Sequence, residues 1–125
     1  MAQYNDFKAL EDLNVNGQLT LGENIGDLTG ISIGYRAYKM SLGGKEAPVI
    51  DGLTGDQRFF MGFAQIWRSK SRDEAMRRLV LTNPHAPPQF RTNGPLRNFT
   101  PFHQVFQIKE GDGMYLPQAE RVKIW

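Results

Sequence analysis

The segment TLGENIGDLTG, residues 20–30, holds Glu23 and Asp27 four positions apart, with glycines at 22, 26 and 30. On a helix, side chains at that spacing share a face. Two carboxylates so placed suit a metal ligand and a second acid that orients a neighbouring ligand. Each also has a plainer reading. Thr20-x-x-Glu23 has capping-box spacing, and acids favour a helix N-terminus. Asp27 alone reads as a solvated surface acid. The glycines weigh on the other side. Each costs roughly 1 kcal/mol relative to Ala inside a helix. Yet Gly26, Gly30 and Gly34 recur every four residues, a stripe of bare backbone that another helix can approach closely.

Three further residues carry possible chemistry. His85 lies among Pro84, Pro87 and Pro88, so a stiff loop presents its ring, and loops held this way commonly carry function. A lone histidine can equally be structural. Arg91, after Phe90, can hold a carbonyl or carboxylate through its planar fork, or sit in a surface salt bridge. His103, beside Phe102, reads as a surface or rim residue. The stretch RSKSRDEAMRR (68–78) is basic but interrupted by Asp73 and Glu74. It sits at helix ends, where charge is usually solvated, and that is the plainer reading beside a phosphate-binding role.

These residues need elements to position them. Residues 1–10 are ambiguous, with the character of a frayed helix tail. In LNVNGQLTL, Asn16-Gly17 between alternating apolar positions is a turn signal for a small hairpin. Thr20 then reads as the cap of a helix running to about Leu42. Its apolar positions are Ile25, Leu28, Ile31, Tyr35 and Tyr38, and Gly43-Gly44 stops it. After the loop KEAPVIDGL, Thr54 and Gln57 form a capping box. The next helix carries an apolar stripe of Phe59, Phe60, Phe63, Ile66 and Trp67, the expected hydrophobic centre. Ser71 and Glu74 repeat the capping box before a helix with Met76, Leu79 and Val80 inward, which Asn83-Pro84 ends. PHAPPQFRTNGPLRN reads as a rigid connection around a short turn near Gln89–Thr92. Thr100 caps and Pro101 starts a last helix, TPFHQVF. The tail mixes turns with a final apolar Ile124-Trp125. The expectation is a mainly α chain of four helices joined by long ordered loops.

Composition narrows the function classes. With 125 residues the chain is one small domain or part of a larger one. Hydrophobic residues make up 40%, which supports a core and argues against disorder. A net charge of +2 decides nothing about nucleic acid. The absence of cysteine excludes a disulfide scaffold and a cysteine-based zinc or redox site. No apolar run approaches the ~20 residues of a membrane span, and MAQYNDFKAL lacks the pattern of a signal peptide.

Four segments together carry a resemblance. LTLGENIGDLTG, LTGDQRFFMGFAQIWRSKSR, NPHAPPQFRTNGPLRN and EGDGMYLPQAERVKIW resemble, in order and spacing, the neprilysin and endothelin-converting-enzyme family of zinc metallopeptidases. The resemblance covers the chain from about Tyr4 and is nearer to bacterial members than to the animal ectoenzymes. It implies the C-terminal helical part of a gluzincin (thermolysin-like) catalytic domain, with residues 1–125 forming one partial domain. In the family the Glu of G-E-N-I-A-D is the third zinc ligand, which falls on Glu23. The Asp four residues on orients a ligating histidine, which falls on Asp27. The His of P-H-x-P-P stabilises the oxyanion, which falls on His85. The Arg of F-R-x-N binds substrate backbone, which falls on Arg91.

The chain departs from the family pattern twice. Gly26 stands where the family has Ala. The H-E-x-x-H helix, which gives two histidine ligands and a general base, is absent, since the chain's histidines are His85 and His103. The resemblance therefore implies a parent enzyme that binds one Zn2+ per intact catalytic domain. That parent cleaves short peptides on the amino side of hydrophobic residues and works outside the cytoplasm, with a cytoplasmic location left open. The chain alone is expected to be inactive, to bind zinc weakly or not at all, and to self-associate through apolar surface meant for the upstream remainder of the domain. No nucleic acid is expected as its partner. The competing reading is a small helical interaction module that uses residues 68–78 for an acidic partner or nucleic acid, with steep salt dependence as its signature.

Overall fold

The computed structural model describes residues 1–124; the expectation placed on Trp125 lies outside them. The chain is mainly α. It runs α1 (Ala2–Asn5), a hairpin of β1 (Lys8–Leu10) and β2 (Leu13–Asn14), α2 (Leu21–Ser41), α3 (Gly55–Ile66), α4 (Asp73–Thr82), α5 (Pro88–Asn98), α6 (Thr100–Phe106) and a 3-10 turn at Gln118–Glu120. Six α-helices are thus described where the sequence pattern gave four.

The long helix α2 stands within a residue of its expected bounds. Gly43 and Gly44 both have positive φ, 58° and 79°, which glycine adopts without penalty at a helix end. The capping box at its start does not form. The Thr20 hydroxyl donates to the Asn16 carbonyl at 3.0 Å and accepts from the Asn24 side-chain amide at 2.9 Å. The buried face runs through Asn24, Leu28 and Ile31, while Ile25 is exposed. Asn16-Gly17 is not the hairpin turn. The hairpin lies one turn earlier, between Leu10 and Leu13, because Asn16 is used otherwise: its Oδ1 accepts from the Gln18 and Leu19 amides and ties the approach to α2.

The capping box at Thr54 and Gln57 forms as expected, in both directions. Within α3, Phe60 is among the most buried side chains, but Ile66 at its last residue is 75% exposed, so the apolar stripe does not reach the helix end. The second expected box, Ser71 with Glu74, is absent. The residue before α4 is Arg72, with no capping side-chain bond. Asn83 is extended ahead of Pro84, as the proline requires.

The largest departure is α5, an eleven-residue helix where a short turn was expected. Pro88 lies in the first turn, where a missing N–H does no harm. Pro95, inside the helix, is fully buried. Thr100 is the first residue of α6 and makes no cap. His103, read as a surface or rim residue, is instead 5% exposed.

The main core joins Leu28 and Ile31 of α2, Phe60 of α3, Leu96 of α5 and Phe102 of α6. A second cluster joins Tyr4, Val15, Ala86 and Phe90 beneath α1 and the hairpin. Gly94 is required here: a Cβ would overlap the Tyr4 hydroxyl. The two clusters together lay α5 alongside α2. The glycine stripe is bare over its first turns and meets the rim of the main core at its end. Nothing among the described residues lies within 4 Å of a Cβ built at Gly22, Gly26 or Gly30, while one at Gly34 meets Phe59 at 3.7 Å.

Candidate functional site

All four expected site residues meet on the edge between α2 and α5. Glu23 and Asp27 stand one turn apart on α2. The loop before α5 brings His85 to Glu23, with Nε2 3.0 Å from Oε2. The first turns of α5 bring Arg91 to Asp27. Its Nε and Nη2 donate to Oδ2 and Oδ1 at 2.8 and 2.7 Å, a bidentate fork. The first contact is open to solvent, with side-chain exposures of 43% and 44%; the second is sheltered, at 17% and 11%.

The orientation of His85 follows from Asn83. Asn83 Oδ1 lies 2.9 Å from both the His85 backbone amide and its Nδ1. A backbone amide can only donate, so the contacting atom is the carbonyl oxygen, and Nδ1 must carry the proton that it receives. Nε2 is thereby turned to Glu23. Arg91 is fixed from a second side, with its guanidinium carbon 4.0 Å from the centre of the Trp67 ring. The bond to Asp27 raises the Arg91 pKa above its ordinary value. Burial first, then the Asp27 charge, pushes the Tyr4 hydroxyl upward, since that phenol lies beneath the pair.

The sequence pattern did not single out Asn83 or Trp67. Asn83 read only as a helix stop, although N-P-H places an Asx side chain within reach of the amide two residues on. Trp67 read as core. Nothing local connects it to Arg91, which is 24 positions away in the sequence.

Glu23 is the residue here whose free oxygen could meet a metal, because both Asp27 oxygens are engaged by Arg91. Among the described residues no group of three or more His, Cys, Asp or Glu could hold a metal ion, and a catalytic zinc takes three protein ligands. The donors fit one side of a zinc site, not a whole one. The cations of residues 68–78 are all exposed, and Arg77 is paired with Asp12 at 2.8 Å. Among the described residues no helix is long and apolar enough to cross a membrane.

Comparison with known proteins follows the same lines. The pattern of Peptidase family M13 matches residues 1–122. Neprilysin-1 of Caenorhabditis elegans is 40% identical over 98% of this chain and 17% of its own length. Human endothelin-converting enzyme 1 is 39% identical over 89% of the chain and 14% of its own length. The cryo-EM structure of the Mycobacterium tuberculosis zinc metalloprotease Zmp1 in its open state superposes with a TM-score of 0.92. That protein is 52% identical, and the match covers 99% of this chain and 20% of that one. The chain thus spans a fifth or less of the length of these proteins.

Proposed function

The chain belongs to Peptidase family M13, and on that premise we propose that it forms the C-terminal portion of the catalytic domain of a zinc metalloendopeptidase acting on short peptides. The observation that carries the reading is the convergence of Glu23, Asp27, His85 and Arg91 on one edge, from two segments more than fifty positions apart. That edge lies beside the bare glycine face of α2, which suits close packing of a second ligand-bearing helix.

In this reading Glu23 holds zinc together with two histidines from the upstream remainder of the domain. Bound zinc polarises a carbonyl and lowers the pKa of water. The remaining work falls to the chain's own side chains. Asp27 orients a ligating histidine while Arg91 anchors it. Asn83 holds the His85 ring by Nδ1, so an N–H at Nε2 requires the imidazolium, a charged donor suited to a developing oxyanion. Arg91 keeps N–H groups beyond those spent on Asp27, and these face substrate backbone.

The test is Glu23→Gln in the full-length parent. The reading expects loss of bound zinc, measured by elemental analysis, together with loss of peptide cleavage. A variant that keeps both overturns it. The isolated chain is expected to show no chelator-sensitive cleavage and to self-associate in light scattering as concentration rises. The resemblance supports a location outside the cytoplasm for the parent, which fractionation of the source cells would check.

A further inference from the structure

The C-terminal segment is stitched down by side chains rather than by a sheet or helix. Arg97 donates to the Tyr115 carbonyl at 3.3 Å. The buried Asn98 accepts the Val122 amide at 2.8 Å. Gln3 donates to the Glu120 carbonyl at 2.9 Å. At the centre is Arg121. Its Nε donates to the Leu116 carbonyl at 2.9 Å, Nη1 to the Thr100 hydroxyl at 3.2 Å, and Nη2 to His103 Nδ1 at 3.1 Å.

That last bond fixes a protonation state. His103 Nε2 lies 2.8 Å from the Arg97 carbonyl, which can only accept, so Nε2 carries the proton. Nδ1 must then be bare to accept from Arg121. Both ring nitrogens are committed and the ring is buried. A second proton would set one N–H against another and place a cation against a guanidinium.

We infer that the segment from Tyr115 to Val122 is an acid-sensitive latch, clasped by neutral His103 through Arg121 and released when that ring is protonated. The charged groups facing the ring are Arg97 from α5 and Arg121 from the segment itself. Tyr115 stands edge-on at 6.3 Å, and the neighbouring ring on α6 is Phe102. Among the described residues no carboxylate pairs with it. Burial holds its pKa below the usual 6.5; the bond to the Arg97 carbonyl opposes that fall, and the charges of Arg121 and Arg97 add to it. The sign follows. A released ring takes its proton near 6.5 and a clasped ring only below that. The latch is at full strength above 6.5 and weakens as pH falls through 6.5 toward the clasped value.

Release would reach the site helix. Val122 and Ile124 line two cavities of about 320 and 450 Å3 together with Leu28, the residue after Asp27. Freeing the segment uncovers Leu28, so acid loosens the support of α2.

Hydrogen exchange of the whole chain at about pH 7.5 and about pH 5, corrected for the intrinsic rates, tests this in the range where histidine titrates. Amides of residues 116–122 should lose protection in acid while those of α3 keep theirs. NMR titration of the two histidines should place the loss with His103. His103→Gln, which cannot titrate, should abolish the acid step. Arg121→Gln should leave the segment unclasped at both pH values, again with no step. Unchanged protection in the wild-type chain, a loss that tracks His85, or a step that persists in either variant overturns the inference.

Discussion

Two rungs join α2 to the α5 side, and they differ in kind. The outer one, Glu23 with His85, is a single contact between half-exposed side chains. The inner one, Asp27 with Arg91, is bidentate, sheltered and backed by the Trp67 ring. One turn of helix separates a contact that can change partners from one that cannot do so cheaply. Under the proposed zinc role, the exchangeable residue lies outside and the anchor beneath it.

Substitutions can break or sharpen that contrast. The largest effect is expected in catalysis by the full-length parent. If His85 is the oxyanion donor proposed above, His85→Gln should lower kcat by about 10²–10³-fold with KM little changed. A comparable fall from Arg91→Lys but none from His85→Gln would reverse the assignment of roles. Next comes stability. Arg91→Leu leaves the Asp27 carboxylate unpaired in a sheltered place, and urea unfolding of the isolated chain should show a loss of about 2–3 kcal/mol, the low side for a buried pair that loses one partner. Gly94→Ala should cost about 2 kcal/mol by driving Tyr4 off α5. This would show how much of the inner rung depends on helix placement alone. The smallest effect is expected for Glu23→Gln in the isolated chain, below about 1 kcal/mol as for an exposed ion pair. If it matched Arg91→Leu, the two rungs would be alike and the contrast would fail.

The side chains that meet on the α2–α5 edge and the elements around them were legible to different degrees. The helix bearing Glu23 and Asp27 was legible because period, glycine stop and length agreed. The capping box at Thr54 was legible because both of its bonds are local. α5 was not. Three prolines in PHAPPQ read as breakers, though Pro88 occupies a first-turn position where proline is harmless and Pro95 is held by the core rather than by propensity. Asn16-Gly17 and Thr20 misled in the other direction, since their side chains serve each other's neighbourhood instead of the motifs they resemble. The buried His103 is bonded to Arg121, 18 positions away, and no local pattern reports such a partner.

The stack of Arg91 on Trp67 makes the anchor visible to light. An indole whose face is covered by a guanidinium at 4.0 Å sits in a field set by the Asp27 charge behind it. Anything that draws Arg91 or Asp27 toward a new neighbour changes that field and, with it, the colour and lifetime of the Trp67 emission. The protein thus carries its own optical gauge of the inner rung, one that needs no label and no substrate turnover. Its readings become specific once the signal of Trp125 is subtracted with a Trp125→Phe control.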